Sequence, residues 1–297
     1  MSTPTATTHL PGKGTIGKNW LLRLGFFSLF LICGAAIFIF GSFYFDVFLT
    51  NKNLTYSLSI SVIFLAISIW FRYDKRLNQY WLLAFAFFAA SVAYPITALF
   101  GHWINAVLNW FGTTADTSKG LAIEKVCEML LKTIPILVLV LLSGAKLGSV
   151  YIKRGNLKLG MGIGWLVFFF LAPASFMFAA ERFTSMDTLG AAVLWGLVFS
   201  SANAFMEELW LRGIFLKRFE SFIGINGSVW VTSIIFAAMH SFAVYFMPTA
   251  LPFYFINTLA LGLACGYLMV KSNSIWGAVL IHTASDFFLF IALLAVP

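Results

Sequence analysis

The 297-residue chain is 61% hydrophobic and 10% charged, with a mean hydropathy of +0.92, whereas an ordinary soluble domain carries about 25% charged residues. That composition excludes a soluble globular fold and makes lipid the solvent for most of the side chains. The net charge of +8 is explained below by loop placement, which removes the reason to expect a nucleic-acid partner.

In chain order, residues 1–19 are rich in Thr, Gly and Lys, contain Pro4 and Pro11 and show no apolar pattern. They are expected to form a mobile cytoplasmic tail. Backbone polar groups cannot stay unpaired in hydrocarbon, so each long apolar run that follows is expected to be a helix of about 20 residues. The runs fall near 21–45, 54–71, 79–101, 122–150, 159–180, 188–218, 227–246, 252–270 and 274–295. The fold expected is an all-α polytopic bundle of about nine spans, the first too long for a signal-peptide core and so retained as an anchor.

Basic residues test this count, because short cytoplasmic loops collect Lys and Arg. Lys13, Lys18 and Arg23 fall on one side, followed by Arg72, Lys75 and Arg76, then Lys146, Lys153, Arg154 and Lys158, then Arg212, Lys217 and Arg218, then Lys271: 14 of the 19. The other side holds Lys52, Lys119, Lys125, Lys132 and Arg182. The amino terminus is therefore expected in the cytoplasm and, with nine spans, the carboxy terminus outside, the plasma membrane being preferred to the endoplasmic reticulum.

Cys33, Cys127 and Cys265 all lie in predicted spans, which argues against a disulfide framework. Glu124, Glu128 and Lys132 are spaced by four and read as a helix-end ion pair at the membrane surface. Gly160 with Gly164, and Gly262 with Gly266, are small-residue pairs that let helices approach closely. The division expected is a tail at 1–19, amino-terminal spans of unassigned role at 20–187 and a catalytic core at 188–297.

The sixth span carries Asn203, Glu207, Glu208 and Arg212 inside an apolar run, at a cost of several kcal/mol per ion unless paired or wetted. Asn203 and Glu207 share one helix face, and Glu208 and Arg212 an adjacent one. The first Glu can then face a cavity while the second pairs with Arg. The seventh span adds Phe236 and His240, the ninth His282 and Asp286. Counted from span ends at 218, 227 and 274 with a rise of about 1.5 Å per residue, Glu207, His240, His282 and Asp286 lie about 16, 20, 12 and 18 Å into the membrane, in one layer.

A carboxylate beside a histidine can take a proton from water, and a second polar pair can stabilise the resulting oxyanion. Alternatively, Glu207, His240 and His282 could hold a zinc ion that acidifies the water; the zincin pattern His-Glu-x-x-His is absent.

At these residues the chain resembles the intramembrane proteases related to the CAAX prenyl endopeptidase, also called the CAAX protease and bacteriocin-processing family. The pattern Glu-Glu-x-x-x-Arg corresponds to Glu207, Glu208 and Arg212, Phe-x-x-x-His to Phe236 and His240, and His-x-x-x-Asn/Asp to His282 and Asp286, in the family's order. The resemblance covers roughly residues 188–295. It implies that Glu207 and His240 activate water, that His282 and Asp286 help hold the oxyanion or, in a metalloprotease description, bind metal, and that Arg212 pairs with Glu208. Many relatives have Asn where this chain has Asp286, which must then be protonated, orient His282 or bind metal.

The function expected is an intramembrane endopeptidase acting on membrane-associated proteins or peptides, with spans six to nine enclosing a cavity open towards the cytoplasm. Metal dependence stays open, with no cofactor or zinc as the alternatives. The rival functions are a non-catalytic scaffold or regulator on the same fold and a proton-coupled transporter, the latter usually marked by broken helices and repeat symmetry.

Overall fold

The computed structural model describes residues 20–42, 53–179, 186–242 and 248–294. The tail expected at 1–19 lies outside them. The described residues are helical, without a strand. In chain order the helices are α1 (Trp20–Gly34, continuing as a π turn over Ala35–Ile39), α2 (Asn53–Tyr73), α3 (Trp81–Ser91), α4 (Ala93–Phe100), α5 (Trp103–Trp110), α6 (Ser118–Leu142), α7 (Leu157–Ala179), α8 (Met186–Glu207, continuing as a π turn over Glu208–Gly213), α9 (Leu216–Phe242), α10 (Leu251–Ser272) and α11 (Trp276–Leu294).

Among the described residues, six helical stretches are long and apolar enough to cross a membrane: Trp20–Ile39, Leu54–Tyr73, Asn78–Phe100, Leu189–Gly213, Leu216–Phe242 and Leu251–Ser272. The chain is an integral multi-pass membrane protein. A nine-span topology requires α6, α7 and α11 to cross as well. Of these, α7 qualifies only as a shorter apolar stretch, Leu157–Leu171, and α6 carries Lys119, Glu124, Lys125, Glu128 and Lys132.

Local chemistry explains the breaks. Pro95 has no N–H to offer the Ser91 carbonyl, and the third predicted span divides into α3 and α4 one residue past Ser91. Gly224, at φ +76° and ψ 172°, is non-helical and lets the chain turn between Leu216–Ile223 and the long part of α9. The glycine pairs act as close-approach sites. A Cβ on Gly277 would sit 2.6 Å from Gly160 Cα, and one on Gly266 2.9 Å from Val229 Cγ1, so α7 meets α11, and α9 meets α10, nearly backbone to side chain.

The core is aromatic. Phe30 of α1 stacks on Phe219 of α9 with centroids 4.1 Å apart, and Phe87 of α3 lies 5.1 Å from Phe215. This cluster joins the amino-terminal helices to the last third of the chain. One end of the bundle is marked by Phe26, Tyr80 and Phe222, whose ring centroids lie 5.0 to 6.2 Å apart. Arg23 approaches Gly224 at that same end, which is therefore the end from which the amino-terminal tail departs.

Candidate active site

The π turn at Glu208–Gly213 was not foreseen from sequence. It closes i to i+5 bonds such as Ile214 N to Leu209 O, 3.2 Å, and its wider turn sets successive side chains closer together around the axis. Glu207 and Glu208 consequently both reach His282 of α11. Nδ1 of His282 lies 2.8 Å from Glu208 Oε1, and Nε2 lies 3.6 Å from Glu207 Oε2. Arg212 Nη1 donates to the same Glu208 oxygen at 2.5 Å, with both side chains fully buried. An ionised Glu208 only accepts, so the His282 proton facing it is on Nδ1.

Phe236 serves three neighbours. Its ring lies under the Arg212 guanidinium at 4.4 Å and edge-on to His282 at 5.5 Å. Its backbone carbonyl accepts a hydrogen bond from His240 Nδ1 at 2.9 Å. A carbonyl cannot donate, so His240 carries its proton on Nδ1 and turns Nε2 towards Glu207 Oε2, 3.5 Å away. The spacing Phe-x-x-x-His is thereby a local device for fixing the His240 tautomer. Gly262 of α10 completes the support: a Cβ there would stand 3.0 Å from Arg212 Nη2, which places that glycine against the guanidinium as well as in helix packing.

Two imidazole Nε2 atoms therefore converge on one carboxylate oxygen that has no hydrogen-bond partner among the protein groups. Distances of 3.5 and 3.6 Å exceed a direct hydrogen bond. Asp286 lies beside them, with Oδ1 3.5 Å from His282 Nε2, while Oδ2 accepts from Asn203 Nδ2 at 2.8 Å. His282 is thus held at Nδ1 by Glu208 and flanked at Nε2 by Asp286. All seven sequence-predicted residues, Asn203, Glu207, Glu208, Arg212, His240, His282 and Asp286, are brought together. Among the described residues, no group of three or more His, Cys, Asp or Glu is arranged to hold a metal ion. Metal dependence is not shown: Glu207, His240 and His282 are the residues that would hold a zinc ion, with Glu207 Oε2 3.5 and 3.6 Å from the two Nε2 atoms.

Glu207 also lines a cavity of about 500 Å³ whose other walls include Ser57, Thr97, Glu124, Lys132, Trp210 and Met239. Spans six to nine thus do not enclose the cavity alone; α2, α4 and α6 supply much of it. The row on α6 is likewise no isolated surface pair. Glu128 holds Lys125 and Lys132, each at 2.5 Å. The Lys132 ammonium lies 4.8 Å over Trp210, three residues beyond Glu207, and the Trp210 indole donates to the Ala90 carbonyl at 2.8 Å. Charges spaced by four on an otherwise apolar helix were the available signal. A separate apolar cavity of about 450 Å³, lined by Ser241, Phe242, Leu251, Pro252, Phe255 and Ile256, includes none of the candidate residues.

No curated protein and no solved structure matches the chain. Residues 189–288, which contain all seven residues above, match the family described as type II CAAX prenyl endopeptidase Rce1-like, and the resemblance carried by the three motifs is thereby shown for the carboxy-terminal third of this membrane protein.

Proposed function

We propose that the chain is an intramembrane endopeptidase that hydrolyses peptide bonds of membrane-associated proteins or peptides with a water activated by Glu207 and His240. The observation that carries this is the convergence of His240 Nε2 and His282 Nε2 on the unpartnered Glu207 Oε2. Glu207 takes one proton from the water, while His240 Nε2 accepts a hydrogen bond from the other and aims the oxygen. The hydroxide adds to the scissile carbonyl carbon. The imidazolium form of His282, anchored through Nδ1 by Glu208, donates from Nε2 to the developing oxyanion. When the tetrahedral intermediate collapses, the C–N bond breaks and Glu207 returns its proton to the leaving amine. Asp286, held by Asn203, positions the Nε2 side of His282.

The topology that accompanies this function has nine spans, a cytoplasmic amino-terminal tail and an external carboxy terminus, in the plasma membrane. The support is the alternation of basic loops and the helical state of α6, α7 and α11. Residues 188–297 form the catalytic core, and α2, α4, α5 and α6 contribute to the wall of its cavity.

The test is a cleavage screen with membrane-embedded peptides, run on purified protein before and after stripping with a chelator and beside elemental analysis. Cleavage that survives stripping and is absent from Glu207→Gln supports the mechanism. Activity lost on stripping and restored by zinc would overturn its metal-free form.

A further inference from the structure

Glu207 stands 11 residues before Arg218, about 16 Å of helical rise from the tail-side end of its span. The shortest route to it in residue count is from that end, and that route is plugged. Phe30, Phe215, Phe219 and Phe87 are each 4% exposed or less. Phe30 stacks on Phe219 at 4.1 Å, and Phe215 lies 5.1 Å from both Phe87 and Phe219. Leu209, Leu211, Ile214 and Leu216 fill the spaces around them, each 2% exposed or less.

The cavity runs the other way. Its lining residues sit at the ends of helices remote from the tail: Ser42 just past the end of α1, Leu54 and Ser57 in the first turns of α2, Thr97 and Ala98 in the last turns of α4, Ile104 at the start of α5 and Met239 near the end of α9. Along one wall, Glu124, Glu128 and Lys132 of α6 repeat at intervals of four, a charged strip about 12 Å long that descends to Trp210 and the layer of Glu207. An apolar cavity of about 150 Å³ stays dry, whereas water enters a cavity that is roomy and offers it polar partners. The strip supplies such partners along the wall that reaches Glu207.

We infer that water and substrate reach Glu207 from the membrane face opposite the amino-terminal tail, along the charged wall of α6, so that the peptides cleaved are segments presented on that face. The cavity expected to open towards the cytoplasm thus faces away from the tail. The inference rests on the proposed peptidase function for the word substrate, but the direction of access rests on the cavity and the aromatic plug.

Thiol labelling separates the two. Thr97→Cys and, independently, Ser57→Cys place a thiol in the cavity wall, and Ser2→Cys places one in the tail. Each full-length variant, with the parent chain as background, is exposed to a membrane-impermeant maleimide in sealed vesicles of both orientations. Labelling of either cavity thiol above background only in the orientation that protects Ser2→Cys is the result expected, and slower cleavage by the labelled protein would follow. Labelling in the orientation that exposes Ser2→Cys, or of neither cavity thiol in either orientation, would overturn it. Labelling as expected in a protein that cleaves no peptide would uphold the access route while rejecting the peptidase.

Discussion

Two acid–base pairs in this protein have the same sequence form, a Glu four residues before a cation, and the structure gives them different jobs. Glu208–Arg212, at the π turn after α8, is fully buried, shares its acceptor oxygen with His282 and rests on the Phe236 ring. Glu128–Lys132, in α6, adds Lys125, borders the cavity and leaves the Glu128 side chain 21% exposed. The buried pair holds His282 through its Nδ1, and the cavity-side pair lines the cavity that reaches Glu207. Spacing alone therefore does not assign a role to an intramembrane ion pair; what the second carboxylate oxygen and the cation's far side touch does.

The largest contrast between the regions is catalytic. Glu207→Gln or His240→Ala is expected to lower turnover by about two to four orders of magnitude with expression intact, whereas Glu128→Gln leaves the reacting groups in place and should retain most of the rate; single-turnover cleavage checks both. Stability should divide the pairs in the same direction. Arg212→Met leaves Glu208 buried with only the His282 ring as partner and should cost about 3–5 kcal/mol. Glu128→Gln leaves Lys132, itself 6% exposed, beside the cavity and two aromatic faces but without its carboxylate, and should cost less, about 1–3 kcal/mol; thermal unfolding in detergent separates the two.

Much of this was legible in the sequence. The all-helical, many-span architecture followed from the apolar runs, and the grouping of Glu207, His240, His282 and Asp286 was anticipated by counting residues inward from basic loops, because a helix converts residue number into depth. Three features were not. The π turn has no residue pattern of its own, so the reach of both Glu207 and Glu208 to His282 was hidden. The α6 row looked interfacial because helix-end charges usually are, and its partner Trp210 is 78 positions beyond Lys132. Depth along an axis also says nothing about which end is plugged, since the plug is assembled from Phe30, Phe87, Phe215 and Phe219 of three helices.

Asp286 sharpens the comparison on the catalytic side. Asp286→Asn preserves an acceptor for the Asn203 amide and should keep most of the activity; Asp286→Ala removes that hydrogen bond, worth about 1 kcal/mol, and should lose roughly fivefold in rate if the bond positions His282 in the transition state. Parallel rate measurements on the two variants check this. On the packing side, Gly277→Ala drives a methyl group into the α7 backbone at Gly160 and should destabilise by about 1–3 kcal/mol without changing the cleavage rate of the folded fraction. Unfolding temperature and rate per folded molecule report the two effects.

The central claim is that Glu207 and His240 act on one water, and a double-mutant cycle tests it most directly. Groups acting as a unit are non-additive. If the claim holds, Glu207→Gln combined with His240→Ala loses about as much single-turnover rate as the worse of the two single variants. Losses that multiply, with each single variant correctly folded, would mean that the two residues act in separate steps and would contradict the account.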